Sequence, residues 1–205
     1  MKKACLLLFS SMLLSPLTVQ AEENSQTALK NLLAQMTHYS ASFQQTVSDE
    51  AGDIVHEATG TLTMTRPDKL RWETAYPDET LLIADGDAVW NIDTFVEQVT
   101  IIDQTQAIAD NPVILLTSND PAVWNDFTVS KASDDIYTVT PKNGEGQIQS
   151  LTMRFNDDIL ASLEMLDAQS QTSNLVFSSI NVSDEPDSSL FTVTIPDTYM
   201  IDDQR

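Results

Sequence analysis

The chain has 205 residues and a formal net charge of −21, with 31 acidic residues against 10 basic ones. So negative a field repels nucleic acid and anionic membrane surfaces, which argues against both as partners. The length suits one domain with a substantial core, and the single cysteine excludes a disulfide framework and a cysteine-based zinc site.

Residues 1–21 predict a secretory signal peptide, because two lysines precede an apolar run that ends in Val-Gln-Ala. We therefore expect cleavage after Ala21 and a mature domain over residues 22–205. Cys5 precedes most of the apolar run and does not stand at the cleavage junction. The mature protein is thus expected to be neither acylated nor disulfide-bonded, which is typical of the periplasm of a Gram-negative cell.

Residues 25–38 predict an amphipathic helix, since apolar residues recur there at helical spacing. Asn24 or Ser25 can cap its first turn. The residues of its apolar face are Ala28, Leu29, Leu32, Leu33 and Met36.

From Ser40 onward the chain alternates apolar and polar residues, which is typical of half-buried strands. The alternating segments are 40–47, 56–65, 69–76, 79–86, 88–93 and 95–102, followed by 126–130, 135–141, 147–155, 161–166, 174–182 and 190–196. Turn signals such as Asp85-Gly86 separate nearly all of them. The pattern predicts a mainly β fold, in which roughly ten short strands form a curled antiparallel meander.

The alternation is interrupted between residues 103 and 126. A short helix is possible at 104–109, and Pro112, with Asn111 as its cap, begins a second apolar segment. So large a sheet needs a cover for its apolar face, and only two or three short helices are available. They either seal a solid core or form a lid over something that is not protein.

The sequence contains no recognisable catalytic or metal-binding group of residues. His38 and His56 lack metal-ligand spacing, and pairs such as Asp157-Asp158 fall in predicted turns. No nucleophile elbow and no phosphate-binding glycine loop is present. We therefore expect no enzyme activity, no cofactor and no metal.

Arg66 lies on an apolar strand face, although basic residues are scarce in this chain. The apolar residues on that face are Leu62, Met64, Leu70 and Trp72. One interpretation is that the strand ends at Pro67 and the guanidinium simply reaches solvent. The other is that Arg66 points into the concavity and donates to free carbonyls at a helix end, as a latch that opens when a ligand enters.

Six motifs occur in order along the chain: YSASFQQTV (39–47), RPDKLRWETAYPDETLLIADG (66–86), VWNIDTFVEQVT (89–100), NPVILL (111–116), YTVTPK (137–142) and IDDQR (201–205). Together they resemble the LolA family of periplasmic lipoprotein carriers, over essentially the whole mature chain. Residues 118–135 and 143–190 match only in pattern. The resemblance implies an unclosed antiparallel β-barrel covered by an α-helical lid.

The resemblance also implies a function without a covalent step. Such a carrier accepts acylated lipoproteins from the inner-membrane ABC transporter LolCDE and shields their acyl chains in a hydrophobic cavity. It then crosses the periplasm and transfers them to the outer-membrane receptor LolB. We expect a monomer that does not insert stably into a membrane.

Several residue roles follow from the resemblance alone. Arg66 is expected to be the lid latch, Leu70 to lie at the cavity mouth in place of the usual aromatic, and residues 201–205 to keep the carrier off the inner membrane. The residues expected at the acyl-chain cavity or its lid are Leu29, Leu32, Leu33, Met36, Phe43, Leu62, Met64, Leu70, Trp72, Leu82, Val113, Ile114, Leu115 and Leu116.

Other functions are compatible with the same sequence. They include a LolB-like receptor, a related lipid-binding periplasmic sensor, a purely structural β-protein and an envelope enzyme. The receptor needs a cysteine at the cleavage site, and the sensor needs a second domain. A packed interior without a cavity would favour the structural protein, and a close carboxylate pair needed for hydrolysis would favour the enzyme.

Overall fold

A computed structural model describes residues 17–144 and 146–205, in which one large sheet packs against a few short helices. The helices are α1 (Leu17–Gln35), α2 (Gln104–Asp110) and α3 (Pro121–Trp124), and 3-10 helices span Pro112–Leu116 and Ser188–Phe191. The strands are β1 (His38–Ser48), β2 (Ile54–Thr65), β3 (Lys69–Tyr76), β4 (Thr80–Ala84), β5 (Ala88–Asp93), β6 (Gln98–Asp103), β7 (Phe127–Ser133), β8 (Ile136–Pro141), β9 (Ile148–Asn156), β10 (Ile159–Asp167), β11 (Thr172–Asn181) and β12 (Met200–Asp203).

The sheet consists of two antiparallel meanders that join where β1 pairs with β11. The strand order is β12-β6-β5-β4-β3-β2-β1-β11-β10-β9-β8-β7. Only β12 runs parallel to its neighbour, β6. Among the described residues β7 and β12 form the two ends of this order and do not pair with each other. The predicted mainly β, antiparallel and unclosed architecture is therefore confirmed.

The first helix differs in both bounds from the predicted 25–38. It begins at Leu17 because residues 17–24 contain no proline or glycine to interrupt it. It ends at Gln35 because strand pairing begins soon afterwards: the Arg66 backbone N–H donates to the Thr37 carbonyl at 2.8 Å. Most of the expected signal peptide, residues 1–16, lies outside the described residues, and cleavage after Ala21 remains a prediction.

Two predicted strands were wrong in part or in whole. The segment 95–102 becomes a strand only from Gln98, since the Asp93 carboxylate accepts hydrogen bonds from the two backbone N–H groups of Phe95 and Val96 and fixes a turn there. The segment 190–196 is not a strand. Its apolar residues pack on the outside of the sheet without a strand partner, and the C-terminal strand forms instead at β12.

Most of the apolar core lies on the concave face of the sheet, under the helices. A smaller cluster lies on the convex face, where Ile195 and Tyr199 pack against Ala88, Val99 and Ile101. The segment that leads to β12 therefore packs on the outside of the sheet through Ile195 and Tyr199 before β12 joins the sheet edge.

We expect Gly60→Ala to destabilise the protein by about 3 kcal/mol, because a Cβ atom at this position would lie 1.9 Å from the Glu73 carbonyl oxygen and 2.6 Å from Cζ of Phe43. Urea unfolding measures the change. Thr61→Ala is the control, since Thr61 is exposed on the same strand and should change stability by less than about 1 kcal/mol. Equal effects of the two substitutions would contradict the close approach at Gly60.

Candidate functional site

The concave face of the sheet is covered by α1 and by residues 104–124, which we call the lid segment. The lid segment consists of α2, the first 3-10 helix and α3. Its cap predictions are confirmed, because the Asn111 side chain accepts from the Val113 N–H at 3.3 Å and Pro112 stands in the first turn. Asp103 caps α2 and Asp120 caps α3 in the same way. Side-chain caps thus fix each turn of an otherwise irregular segment.

Most of the expected cavity residues lie inside a packed core in this conformation. Those with almost no exposure are Leu29, Leu33, Met36, Phe43, Leu62, Met64, Leu70, Val113, Ile114, Leu115 and Leu116. Leu32, Trp72 and Leu82 are partly buried against them. The side chains of the cover therefore fill most of the concavity.

A cavity of about 470 Å³ remains between the lid segment and the sheet. Trp72, Leu82 and Val89 line it from one meander, Ile148 and Met165 from the other. The lid segment contributes a further part of the wall through Ala107, Val113 and Ile114. The core is thus mostly solid in this conformation, and a cavity remains under the cover. A lid that covers a bound molecule stays a prediction.

Polar side chains surround one end of this cavity. Thr74 and Thr80 pair across β3 and β4 in the last rung before the turn that joins these strands, and both line the cavity. Asn91 and Gln147 also line it and are exposed. The cavity is thus mainly apolar, and Thr74 and Thr80 make its end beside the β3–β4 turn polar.

Arg66 connects the end of β2 to the end of the first 3-10 helix. Its guanidinium donates to the carbonyl oxygen of Leu116, to that of Ser118 at 3.2 Å, and to the side-chain oxygen of Asn119. Carbonyls at a helix end have no partner within the helix, and a planar guanidinium offers five donors. The interpretation that the side chain simply reaches solvent is wrong, since Arg66 bonds the lid segment.

Burial lowers the pKa of Arg66, and the nearby Asp68 carboxylate raises it in opposition. For Asp68, burial raises the pKa and the charge of Arg66 lowers it. An arginine pKa lies so far above neutrality that the guanidinium remains charged in this setting. The hydrogen bonds to the lid segment are therefore charge-assisted, and stronger than bonds between neutral groups.

Gln104 adds a second connection beside Arg66, and the sequence alone did not indicate it. Its side-chain N–H donates to the Asp68 carbonyl at 2.8 Å, and its side-chain oxygen accepts from the Gly86 N–H at 3.0 Å. The Asp68 N–H in turn donates to the Thr117 carbonyl at 3.1 Å. One buried amide thus joins the start of α2 to two turns of the sheet, a role that no local sequence pattern marks.

Trp124 connects the lid segment to α1, which sequence reasoning also missed. Its indole N–H donates to the Ser118 carbonyl at 3.2 Å, and its own carbonyl accepts from the Gln26 side chain at 2.7 Å. The Lys30 ammonium lies 5.8 Å from the centre of the indole ring. The available signal was that Trp124 is the one aromatic residue in the sequence of the lid segment.

Leu70 does not lie at an open mouth in this conformation. It is 1% exposed, and it pairs with Met64 and Ala84 in the sheet, beneath the cover. The expected mouth position is therefore corrected, because the lid segment closes over this end of β3. Trp72 lies further along the strand, where its ring centre is 5.1 Å from that of Phe43 and its side chain reaches the cavity.

The C-terminal residues form the edge strand β12. Arg205 forms an ion pair with Asp203 at 2.7 Å, and its guanidinium lies 5.8 Å from the centre of the Trp90 ring. Within residues 17–144 and 146–205, no three His, Cys, Asp or Glu side chains lie close enough to hold a metal ion. No helix among these residues is both long and apolar enough to cross a membrane.

These features define a class of protein in which an open sheet holds an apolar cavity beneath a helical cover that hydrogen bonds fasten. The sequence comparisons make the assignment specific. The family model described as outer membrane lipoprotein carrier protein LolA matches residues 34–194. The chain belongs to the LolA family.

Relatives named outer-membrane lipoprotein carrier protein are similar over nearly the full length. The protein from Aeromonas salmonicida is 36% identical over 206 residues, with 100% of both chains covered. That from Shewanella loihica is 35% identical over 192 residues, which cover 93% of this chain and 92% of the relative. The protein is thus a LolA-type lipoprotein carrier.

Solved structures support the fold alone. A LolA superfamily protein from Nitrosomonas europaea has a TM-score of 0.52 at 12% identity, covering 82% of this chain and 97% of the other. An uncharacterised protein from Thermus thermophilus has a TM-score of 0.52 at 12% identity, with 88% and 99% covered. The open, covered sheet therefore occurs at very low sequence identity.

We expect Gln104→Leu to lower the free energy of unfolding by about 2 kcal/mol, because it leaves the Asp68 carbonyl and the Gly86 N–H without their partner in a buried setting. Urea unfolding with far-UV detection measures the change. Gln106→Leu is the matched control, since Gln106 is exposed on the same helix. A control that loses as much stability would show that Gln104 acts through helix propensity.

Proposed function

We propose that the protein is a periplasmic, non-catalytic carrier that accepts acylated lipoproteins released from the inner membrane by LolCDE. It shields their acyl chains beneath the lid segment and transfers them to LolB at the outer membrane. The names of the relatives support lipoprotein transport. The observation that carries the finer proposal is an apolar concavity whose cover is fastened by a few hydrogen bonds from Arg66.

The size of the cavity implies that the cover moves when cargo enters. A volume of about 470 Å³ lies in the range of small-molecule pockets and holds far less than several long acyl chains. The rest of the concavity is occupied by side chains such as Leu33, Ile114 and Leu115. Acyl chains enter by replacing these side chains, and the displaced groups are as apolar as the cargo.

Such an exchange keeps the net affinity moderate, which a carrier requires. Three acyl chains of about fifteen methylenes each would gain some 36 kcal/mol if they moved from water to full burial, at about 0.8 kcal/mol per methylene. Non-covalent complexes do not exceed about 20 kcal/mol. The acyl chains are only partly covered, and the cover loses its own contacts when they enter. The net free energy of the chains in the carrier therefore stays close to their free energy in the membrane.

Arg66 contributes to release in this scheme. Its hydrogen bonds to the lid segment exist when the cover is closed, and each adds about 1–3 kcal/mol to that state. Cargo that displaces the cover breaks them. The hydrogen bonds form again when the cargo leaves, and this favours transfer to the receptor. Arg66 thus stabilises the empty state and needs no contact with cargo.

The function is tested by purifying the mature protein from a periplasm and searching for acylated lipoprotein by mass spectrometry. We expect bound triacylated peptide that a hydrophobic probe displaces. Incubation with inner-membrane vesicles, transporter and ATP should release lipoprotein into solution. A ligand-free protein that also releases nothing would leave the fold without the carrier function.

We expect Arg66→Leu to bind lipoprotein and to transfer it to LolB with an equilibrium constant reduced about a hundredfold or more, because the empty closed state loses three charge-assisted bonds. Transfer of labelled lipoprotein to soluble receptor measures the effect. Arg154→Leu is the control, since Arg154 is exposed on β9. Normal transfer by Arg66→Leu would contradict the latch.

We expect Leu82→Glu to reduce binding of a fluorescent fatty acid more than tenfold, since a carboxylate in the cavity wall must lose its hydration when the chain enters. Leu81→Glu is the matched control. Leu81 is the neighbouring residue on the opposite face of β4 and is not among the residues that line the cavity, so the Leu81→Glu variant should bind the probe normally. Equal losses in both variants would place the binding site elsewhere.

A further inference from the structure

The turn between β5 and β6 exposes large apolar side chains. Phe95 is 84% exposed and Val96 is 56% exposed. Met200, whose backbone N–H donates to the Glu97 carbonyl at 2.8 Å, lies beside this turn and is 65% exposed. We call Phe95, Val96 and Met200 the apolar tip. Phe95 belongs to neither apolar cluster of the described residues, so packing within the chain does not explain it.

The apolar tip is held in place by hydrogen bonds on both sides. The Asp93 carboxylate accepts from the Phe95 N–H at 2.9 Å and from the Val96 N–H at 3.1 Å. The Thr94 hydroxyl donates to the Glu79 carbonyl at 2.9 Å, which fastens the tip to the turn between β3 and β4. β12 fastens the other side. The backbone of the tip is thus ordered before a partner binds, which reduces the conformational entropy lost on binding.

The apolar tip stands at the polar end of the cavity. Thr80 pairs with Thr74 on one side and with Asp93 on the other, and both threonines line the cavity. Phe95 stands two residues after Asp93 in the chain. A partner bound to the tip would therefore lie close to the place where the cavity ends.

The surroundings of the apolar tip are acidic and exposed. Asp78 and Glu79 lie in the adjacent turn, Glu97 follows Val96, and Asp202 lies on the neighbouring edge strand. Asp203, further along that strand, is paired with Arg205. Anionic lipid would be repelled by such a border, whereas lysine and arginine would be attracted. The chemistry that complements this surface is an apolar pocket with a basic rim.

We propose that the apolar tip docks into a folded protein partner that presents an apolar pocket bordered by lysine and arginine, and that this contact aligns the partner with the end of the cavity. The inference rests on the proposed function, because only a carrier needs a partner at that place. Aromatic residues that fill such pockets contribute a large share of the binding energy at protein interfaces. Attraction between the acidic border and the basic rim sets the orientation.

The experiment measures binding of the mature carrier to each of the two proposed partner proteins, LolB without its acyl anchor and purified LolCDE in nanodiscs. Phe95→Ser and Val96→Ser are compared with Val176→Ser, because Val176 is 60% exposed on β11 and lies outside the tip. We expect Phe95→Ser to weaken binding to at least one partner about tenfold or more. Val96→Ser should weaken it less, and the control should bind normally.

Three further readouts separate docking from other effects. Thermal midpoint and fatty-acid binding should be unchanged in Phe95→Ser, because the tip lies outside the core and the cavity. Raising the salt from about 0.05 to about 0.3 M should weaken binding of the wild-type carrier, since ions screen the acidic border. Vesicles of anionic phospholipid without protein should not bind the carrier.

Wild-type affinity of Phe95→Ser for both partners would overturn the docking proposal. Adsorption of the wild-type carrier to protein-free vesicles, lost in Phe95→Ser, would also overturn it and assign the tip to lipid. A wild-type carrier that takes up fatty acid but binds neither partner protein would overturn docking and leave acyl shielding intact. Failure of the wild-type carrier to take up fatty acid or lipoprotein is a failure of the proposed function itself.

Discussion

The charge-assisted contact between Arg66 and the end of the first 3-10 helix anchors the lid segment to the sheet beside the end of β2. The lid segment is irregular, and its short helices have too few internal hydrogen bonds to be stable alone. Its buried leucines and isoleucines hold it to the sheet by apolar contacts that have no preferred direction. The guanidinium, by contrast, binds one end of it at a defined place. Gln104 and Trp124 extend this fixed point to the turns of the sheet and to α1.

The apolar cover gives the concavity two possible occupants of similar chemistry. Side chains of the lid segment and α1 fill it when the protein is empty, and acyl chains replace them in the proposed loaded state. Both occupants are hydrocarbon, so the free energy gained by burying apolar surface is similar in the empty and the loaded state and largely cancels between them. Small directional terms such as the hydrogen bonds of Arg66 then decide the direction of the equilibrium, although each is minor beside the whole core.

The sequence predicted the sheet well because period-two alternation depends on local burial. β3 and β5 have the predicted bounds. Because alternate residues of a strand point to the same face, the pattern of β2 also placed Arg66 on the face of Leu62 and Met64. Segment 190–196 alternates as well, yet lacks a strand partner, and pairing is a property of the whole sheet. The depth of Leu70 and the bridge of Gln104 were beyond sequence reasoning, since both depend on where a distant segment closes.

The edge strand β12 has a consequence for the behaviour of an open sheet in a crowded compartment. A sheet that does not close on itself keeps edges at which a second copy could add strands and start an aggregate. Here one edge is only four residues long, and it carries Asp202 and Asp203, both exposed. Asp203 is paired with Arg205, so Asp202 carries the unpaired charge of this edge. Two copies of the edge would bring two Asp202 carboxylates together, which disfavours pairing between copies at β12.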